Sequence, residues 1–132
     1  AEDHAVGNHS FDHLDGWKTK KDDYVSNVLK ARKIIKSNLF RPPYGRITRL
    51  QRKALTGFKN PFKIIMWSVL SGDFDLTVSP EQCCSNILKH AKSGAIIVFH
   101  DSEKAFERMR YALPVVLKHF ADKGYQFKKI DL

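Results

Sequence analysis

No run of about 18 apolar residues occurs in this chain, so no segment reads as a membrane-spanning helix. Cysteine is scarce: the two present, Cys83 and Cys84, are neighbours. A disulfide between adjacent residues is strained, and the segment around them reads as helix, where neighbours point apart. Both are read as free thiols, one of them buried. They make neither a disulfide framework nor a metal pair. Internal repeats and low-complexity tracts are missing too. Acidic side chains are the minority, 14 Asp plus Glu against 23 Lys plus Arg, a formal net charge of +9. The length, 132 residues, excludes a complete eight-stranded βα barrel, which needs roughly 200 or more. The chain opens on Ala-Glu-Asp-His with no initiating Met and no signal-like stretch, and reads as the middle of something.

What is present is an ordinary globular composition, 42% hydrophobic and 28% charged, expected to fold as one domain over residues 1–132. The basic residues are spread out. Lys18, Lys20, Lys21, Lys30, Lys33, Lys36, Arg46, Arg49, Arg52 and Lys53 recur at intervals that suit the wet faces of helices. A basic nucleic-acid-binding domain would need a recognition element beyond charge, and none is found. No nucleic acid partner is expected.

Thr19, with Asp22 three residues on, predicts a capped helix running to about Lys36. Leu39 and Phe40 form a short strand ended by Arg41-Pro42-Pro43-Tyr44-Gly45. Ile47 to Thr56 reads as a basic helix closed by Gly57. Lys63 to Val69 (KIIMWSV) predicts one buried strand. Ser79 caps the next helix, Pro80 takes its first position, Gln82 completes a capping box, and Gly94 ends it. Ala95 to Phe99 (AIIVF) is the clearest strand. A helix from about Lys104 to Lys123, broken near Pro114, and a last strand over Gln126 to Ile130 complete the order. Helices alternating with near-continuously apolar strands imply an α/β fold with mostly parallel strands and helices outside.

Ligands in such folds bind at the carboxyl ends of strands. Three expected strands end in chemistry: Phe40 leads to Arg41, the Trp67 strand to Asp73, and Phe99 to His100. His9 and His13, at i and i+4, fit one face of a helix and can share a metal ion. Read alone, such a pair is more often two solvated histidines near a fraying terminus. His100 at a strand end is either a core-edge histidine or a general acid or base. Arg41 before two prolines is a permanent cation on a stiff loop, suited to a bidentate carboxylate or simply a surface residue. Asp73 is either a loop carboxylate or the partner that orients a histidine. Trp17 and Trp67 read first as core residues.

Together and in order, these segments resemble the polysaccharide deacetylase family, the NodB-like carbohydrate esterases. GNHSFDH matches the H-[ST]-x-x-H metal motif at His9, Ser10 and His13. RPPYG matches the next motif at Arg41 to Gly45. MWSVLSGDFD matches the fourth, with Asp73 at the aspartate position, and IIVFHDS the fifth, with Val98 and His100. Leu70 and Phe74 stand where many members carry Asp and Trp, a departure that touches pocket lining. The family's first motif, a strand ending in two aspartates, precedes the histidine motif and has no counterpart here. The resemblance therefore implies the carboxyl-terminal part of a single deacetylase domain, an incomplete distorted (β/α) barrel. Its missing strands would come from an upstream segment or a second chain.

The implied activity is metal-dependent hydrolysis of acetyl groups from a peptidoglycan-like, chitin-like or otherwise acetylated polysaccharide. His9 and His13 would hold a divalent metal, zinc by expectation. His100 would protonate the leaving group and Asp73 would orient it. Arg41 would orient the base, and the Tyr44 N–H would stabilise the oxyanion. Val98 would line the acetyl-methyl pocket, with Pro43 and Trp67 as further substrate contacts. The base and third metal ligand, both from the first motif, are expected to be lacking in this chain, so this polypeptide alone is expected to have little deacetylase activity. The alternative from another class is a non-catalytic carbohydrate- or wall-binding module of the same fold. An extracellular or envelope location would suit either reading.

Overall fold

The computed structural model describes residues 3–131; Ala1, Glu2 and Leu132, which the expected 1–132 domain includes, lie outside the described residues. The backbone gathers into two compact units. One runs to Met66 and includes Lys129 onward; the other is Trp67–Lys128.

The first unit contains helix α1 (Lys21–Arg32), strand β1 (Leu39–Phe40), helix α2 (Arg49–Thr56) and strand β2 (Lys63–Ile64). β1 and β2 pair in parallel, Leu39 opposite Lys63 and Phe40 opposite Ile64, with α2 as the crossover that parallel pairing requires. Asn8 adds a parallel bridge to Phe40. The core is Tyr24, Val28, Phe40, Leu55 and Phe62. Thr48 caps α2 reciprocally with Gln51, and the buried Gln51 amide also donates to the carbonyls of Gly16 (2.8 Å) and Thr19 (3.0 Å). One side chain thus closes a helix and pins the preceding turn.

The second unit contains β3 (Val69–Leu70), α3 (Pro80–His90), β4 (Ile97–Val98) and α4 (Glu103–Asp122). β3 pairs in parallel with β4, Val69 opposite Ile97 and Leu70 opposite Val98. Val69, Cys83, Cys84, Ile87, Ala112, Val116 and Phe120 form its core. Both cysteines are free and both are buried, where one was expected.

The α/β class and the parallel pairing are as expected, but the strands form two two-stranded pairs and no barrel among the described residues. The expected Lys63–Val69 strand divides. Its first residues bond to β1 and its last to β4, so one apolar run serves two partners and breaks between them. The expected Gln126–Ile130 strand does not form: no ladder partner meets it among the described residues, and a strand without one leaves its polar backbone to water. α1 starts later than expected. Its N-cap is Lys20, because the Thr19 hydroxyl donates to the Asp15 carbonyl (2.7 Å) in the turn before it. It also ends earlier, at Arg32. α3 ends at His90. α4 runs unbroken through Pro114, which is exposed, as is Arg110 four residues before it, so the carbonyl that loses its donor lies on the wet side of the helix.

Candidate active site

The candidate residues fall in two sets, one in each unit. The first is built where residues 8–13 run beside β1. The Asn8 N–H donates to the Leu39 carbonyl (2.8 Å), and the Asn8 carbonyl accepts from the Arg41 N–H (2.9 Å). This pairing sets His9 against Arg41, and His9 Nδ1 lies 2.6 Å from the Arg41 carbonyl oxygen. A carbonyl can only accept, so Nδ1 carries the proton and Nε2 the lone pair.

His9 and His13 are not on a helix, contrary to the spacing argument. Ser10 and His13 adopt φ of 68° and 53°, and the chain doubles back between them. Left-handed backbone at non-glycine residues is unfavourable and needs a surrounding that enforces it. The result still brings the imidazoles together, edge to face with centroids 4.9 Å apart, and sets His13 4.8 Å from the Tyr44 ring. The i, i+4 spacing gave the proximity; the backbone that achieves it is a turn.

Arg41 enters the Pro42-Pro43 turn, where both prolines are buried. Burial lowers the pKa of its half-buried guanidinium, and no carboxylate pairs with it among the described residues. Tyr44 takes a φ of 58°. Gly45 and Arg46 close the turn by donating to the Pro42 (3.0 Å) and Pro43 (3.1 Å) carbonyls. Arg46 bonds Asp15 at 2.6 Å and lies over the rings of Trp17 (4.8 Å) and Tyr44 (5.7 Å). Burial raises the Asp15 carboxyl pKa, but the Arg46 hydrogen bond, the Trp17 N–H and the charges of Arg46 and Lys18 outweigh it and hold the group below its ordinary value. Trp17, expected in the core, is 67% exposed, because Arg46 rather than apolar packing covers it.

The second set stands at the ends of β3 and β4. Asp73 is fully buried. Its Oδ2 accepts from the His100 N–H (2.6 Å) and its Oδ1 from His100 Nδ1 (2.7 Å). A carboxylate with both oxygens on one residue fixes the main chain and the imidazole together, again leaving the lone pair of the neutral ring on Nε2. The Asp73 N–H donates to Ser71 Oγ (3.2 Å), and Phe74 meets the His100 ring edge to face at 5.2 Å. Val98 is buried in β4, and Trp67 is half-buried in the irregular run before β3 rather than in a strand.

Residues 1–59 match the polysaccharide deacetylase family. The chain is 29% identical to a peptidoglycan-N-acetylglucosamine deacetylase of Bacillus cereus, over 96% of its own length and 47% of that protein's. It overlays a solved peptidoglycan N-acetylglucosamine deacetylase with a TM-score of 0.87 at 27% identity, covering 98% of this chain and 62% of that one. Over nearly all of its length the chain is similar to members of the polysaccharide deacetylase family. It also overlays a CE4 family pseudoenzyme from Bacillus anthracis with a TM-score of 0.78 at 24% identity, covering 95% of this chain and 44% of that one, a likeness of fold alone. The chain spans about half the length of the curated relative just described.

Three site-building residues of this chain left little or no mark in the sequence. Asn8 sends its side-chain amide to the Val28 carbonyl (2.9 Å) while its Oδ1 accepts from the Ser10 N–H (2.9 Å). Asn27 of α1 bonds the histidine turn directly. Arg108 of α4, buried, donates from Nε to the Asp73 carbonyl (2.8 Å) and from Nη2 to the Lys104 carbonyl. Arg108 did leave a signal: it interrupts the otherwise apolar stripe Ala105, Ala112, Val116, Phe120. Asn27 left none, being an ordinary polar residue on a helix.

The histidine turn suits two places in a nitrogen-ligated divalent site. The donor types are right, and a carbonyl behind His9 Nδ1 is the outer support such a ligand takes. Among the described residues no group of three or more His, Cys, Asp and Glu gathers as a ligand set.

Proposed function

We propose that this chain carries catalytic residues of a metal-dependent deacetylase that removes acetyl groups from N-acetylglucosamine-containing polysaccharide, peptidoglycan first among them. One observation supports this reading above others. His9 and His100 each donate from Nδ1 to a fixed oxygen, so both present Nε2 for chemistry in a defined tautomer. A binding module has no need to set imidazole tautomers. The names of the relatives, peptidoglycan N-acetylglucosamine deacetylases, favour peptidoglycan as the substrate class.

In this reading His9 and His13 are ligands to a divalent ion, zinc on the imidazole donor set. Such an ion, when bound, supplies Lewis-acid polarisation of the acetyl carbonyl and lowers the pKa of a water. His100 holds a proton on Nε2 when charged and delivers it to the leaving nitrogen. Asp73 keeps the imidazole oriented and stabilises its charged form, as a buried carboxylate does for a catalytic histidine. Arg41, without a carboxylate partner among the described residues, orients the carboxylate that serves as base. The Tyr44 N–H, held in a stiff turn, is the oxyanion donor. Val98, Pro43 and Trp67 are assigned to the acetyl and sugar contacts. The larger barrel into which these strands would fit is part of the same proposal.

The test is acetate release from N-acetylglucosamine-containing peptidoglycan by this chain supplied with zinc and combined with a segment or second chain that carries the base carboxylate. His100→Ala is expected to lower kcat by about 10²–10⁴-fold, the usual worth of a positioned acid or base. His13→Ala is expected to lower zinc affinity as well as turnover. Glycan binding retained alongside unchanged turnover in both variants would sink the catalytic reading.

A further inference from the structure

We propose that Asn27 is the positioning residue of the histidine turn: its carboxamide, reaching from α1, holds His9 and His13 in the arrangement that binds metal. The inference rests on the metal reading above and names what that pair depends on. Asn27 Oδ1 accepts from Ser10 Oγ (2.6 Å), the Phe11 N–H (2.8 Å) and the Asp12 N–H (2.9 Å). Asn27 Nδ2 donates to Asp12 Oδ2 (2.5 Å). The amide cannot be turned around. Flipped, its NH₂ would face two backbone N–H donors and its oxygen a carboxylate. One side chain therefore touches every residue between the two histidines.

The turn needs this grip. Two of its five residues, Ser10 and His13, sit in the left-handed region that only a surrounding network holds. The Ser10 hydroxyl that donates to Asn27 also accepts the Leu14 N–H (3.4 Å), so the network continues past His13. The neighbouring residue of the same helix, Val28, takes the Asn8 side chain through its carbonyl (2.9 Å). α1 thus grips the chain immediately before His9 and again between His9 and His13. Removing the Asn27 amide leaves two N–H groups and a hydroxyl with water in place of a fixed acceptor, and frees the spacing of the imidazoles.

The experiment measures Zn²⁺ binding by calorimetry and the visible spectrum of the Co²⁺-substituted protein, for the wild type and three variants. Asn27→Ala is expected to weaken Zn²⁺ binding by about 10–100-fold, the range for supports of metal ligands, and to alter the Co²⁺ bands. Asn27→Asp alone is expected to weaken it too, by setting a second carboxylate against Asp12. Asn27→Asp combined with Asp12→Asn restores an acceptor for the turn and a donor opposite it, and is expected to recover most of the affinity. A third readout needs no metal: amide exchange at Phe11 and Asp12 should accelerate in Asn27→Ala while the amides of Val28 and Leu55 keep their protection. Wild-type affinity and Co²⁺ spectrum in Asn27→Ala would overturn the proposal. So would a double variant no better than Asn27→Asp alone. A wild-type protein that binds no Zn²⁺ defeats the metal reading instead; unchanged exchange at Phe11 and Asp12 would then overturn the role of Asn27, and accelerated exchange would uphold its hold on the turn.

Discussion

Asp73 and His100 show how much of a site rests on single groups. A fully buried carboxylate is costly unless its oxygens are satisfied, and here both meet N–H groups of one residue. Asp73→Asn keeps the shape and reverses half the chemistry, placing an NH₂ against one of two N–H donors. The imidazole then loses its preferred tautomer or its position. Turnover is expected to fall by about 10²–10⁴-fold with KM little changed, measured as steady-state acetate release. Activity within twofold of wild type would show that the pair is structural. The sequence made Asp73 and His100 legible because both follow apolar strands. It made His9 and His13 legible through spacing, yet with the wrong backbone, since a residue pair at i and i+4 meets across a helix or across a doubled turn alike. Asn27 was illegible, because nothing in its neighbours along the chain says which loop its helix will face.

At the level of elements, the start of α3 was legible where the bounds of strands were not. Ser79 caps α3 by accepting from the Gln82 N–H (3.0 Å), with Pro80 at the first position. These are local interactions, decided within four residues. Ser79→Ala is expected to cost about 1 kcal/mol, read as a lower urea midpoint with an unchanged slope. The Gln82 side chain does not complete the expected box and donates to Asn86 instead (3.0 Å). Strands failed where pairing decided them. KIIMWSV has the composition of one strand but divides between β1 and β4 as partners, and Gln126–Ile130 has composition without a partner. Hydropathy specifies what wants burial; the ladder of a distant segment specifies where a strand starts and stops.

For the molecule as a whole, each unit carries its own core, and the two thiols report on the second. Burial, and for Cys83 the Asp73 carboxylate next, push both thiol pKa values above the ordinary range. A raised pKa in the folded state means the stabilisation is complete below the unfolded thiol value, about 8.5, and fades as pH rises through the folded value. Iodoacetamide is accordingly expected to leave Cys83 and Cys84 unmodified in the native protein at pH 8 and to label both in urea, as read by mass spectrometry. Native labelling of either thiol within minutes would contradict the packing. At this scale fold and activity also part company, since an active deacetylase fold and a pseudoenzyme fold both overlay this chain. The sequence by itself determined the α/β class, the parallel habit of the strands, the Ser79 cap of α3 and the resemblance to polysaccharide deacetylases, because composition, periodicity and motif spacing are properties of neighbours along the chain. Only the tertiary structure decided that the histidines meet on a turn, that Arg108 stands behind Asp73 and that Asn27 grips residues 10–12. The last two contacts join residues 15 or more positions apart, and hydrogen-bond geometry in space, not order in sequence, selects them.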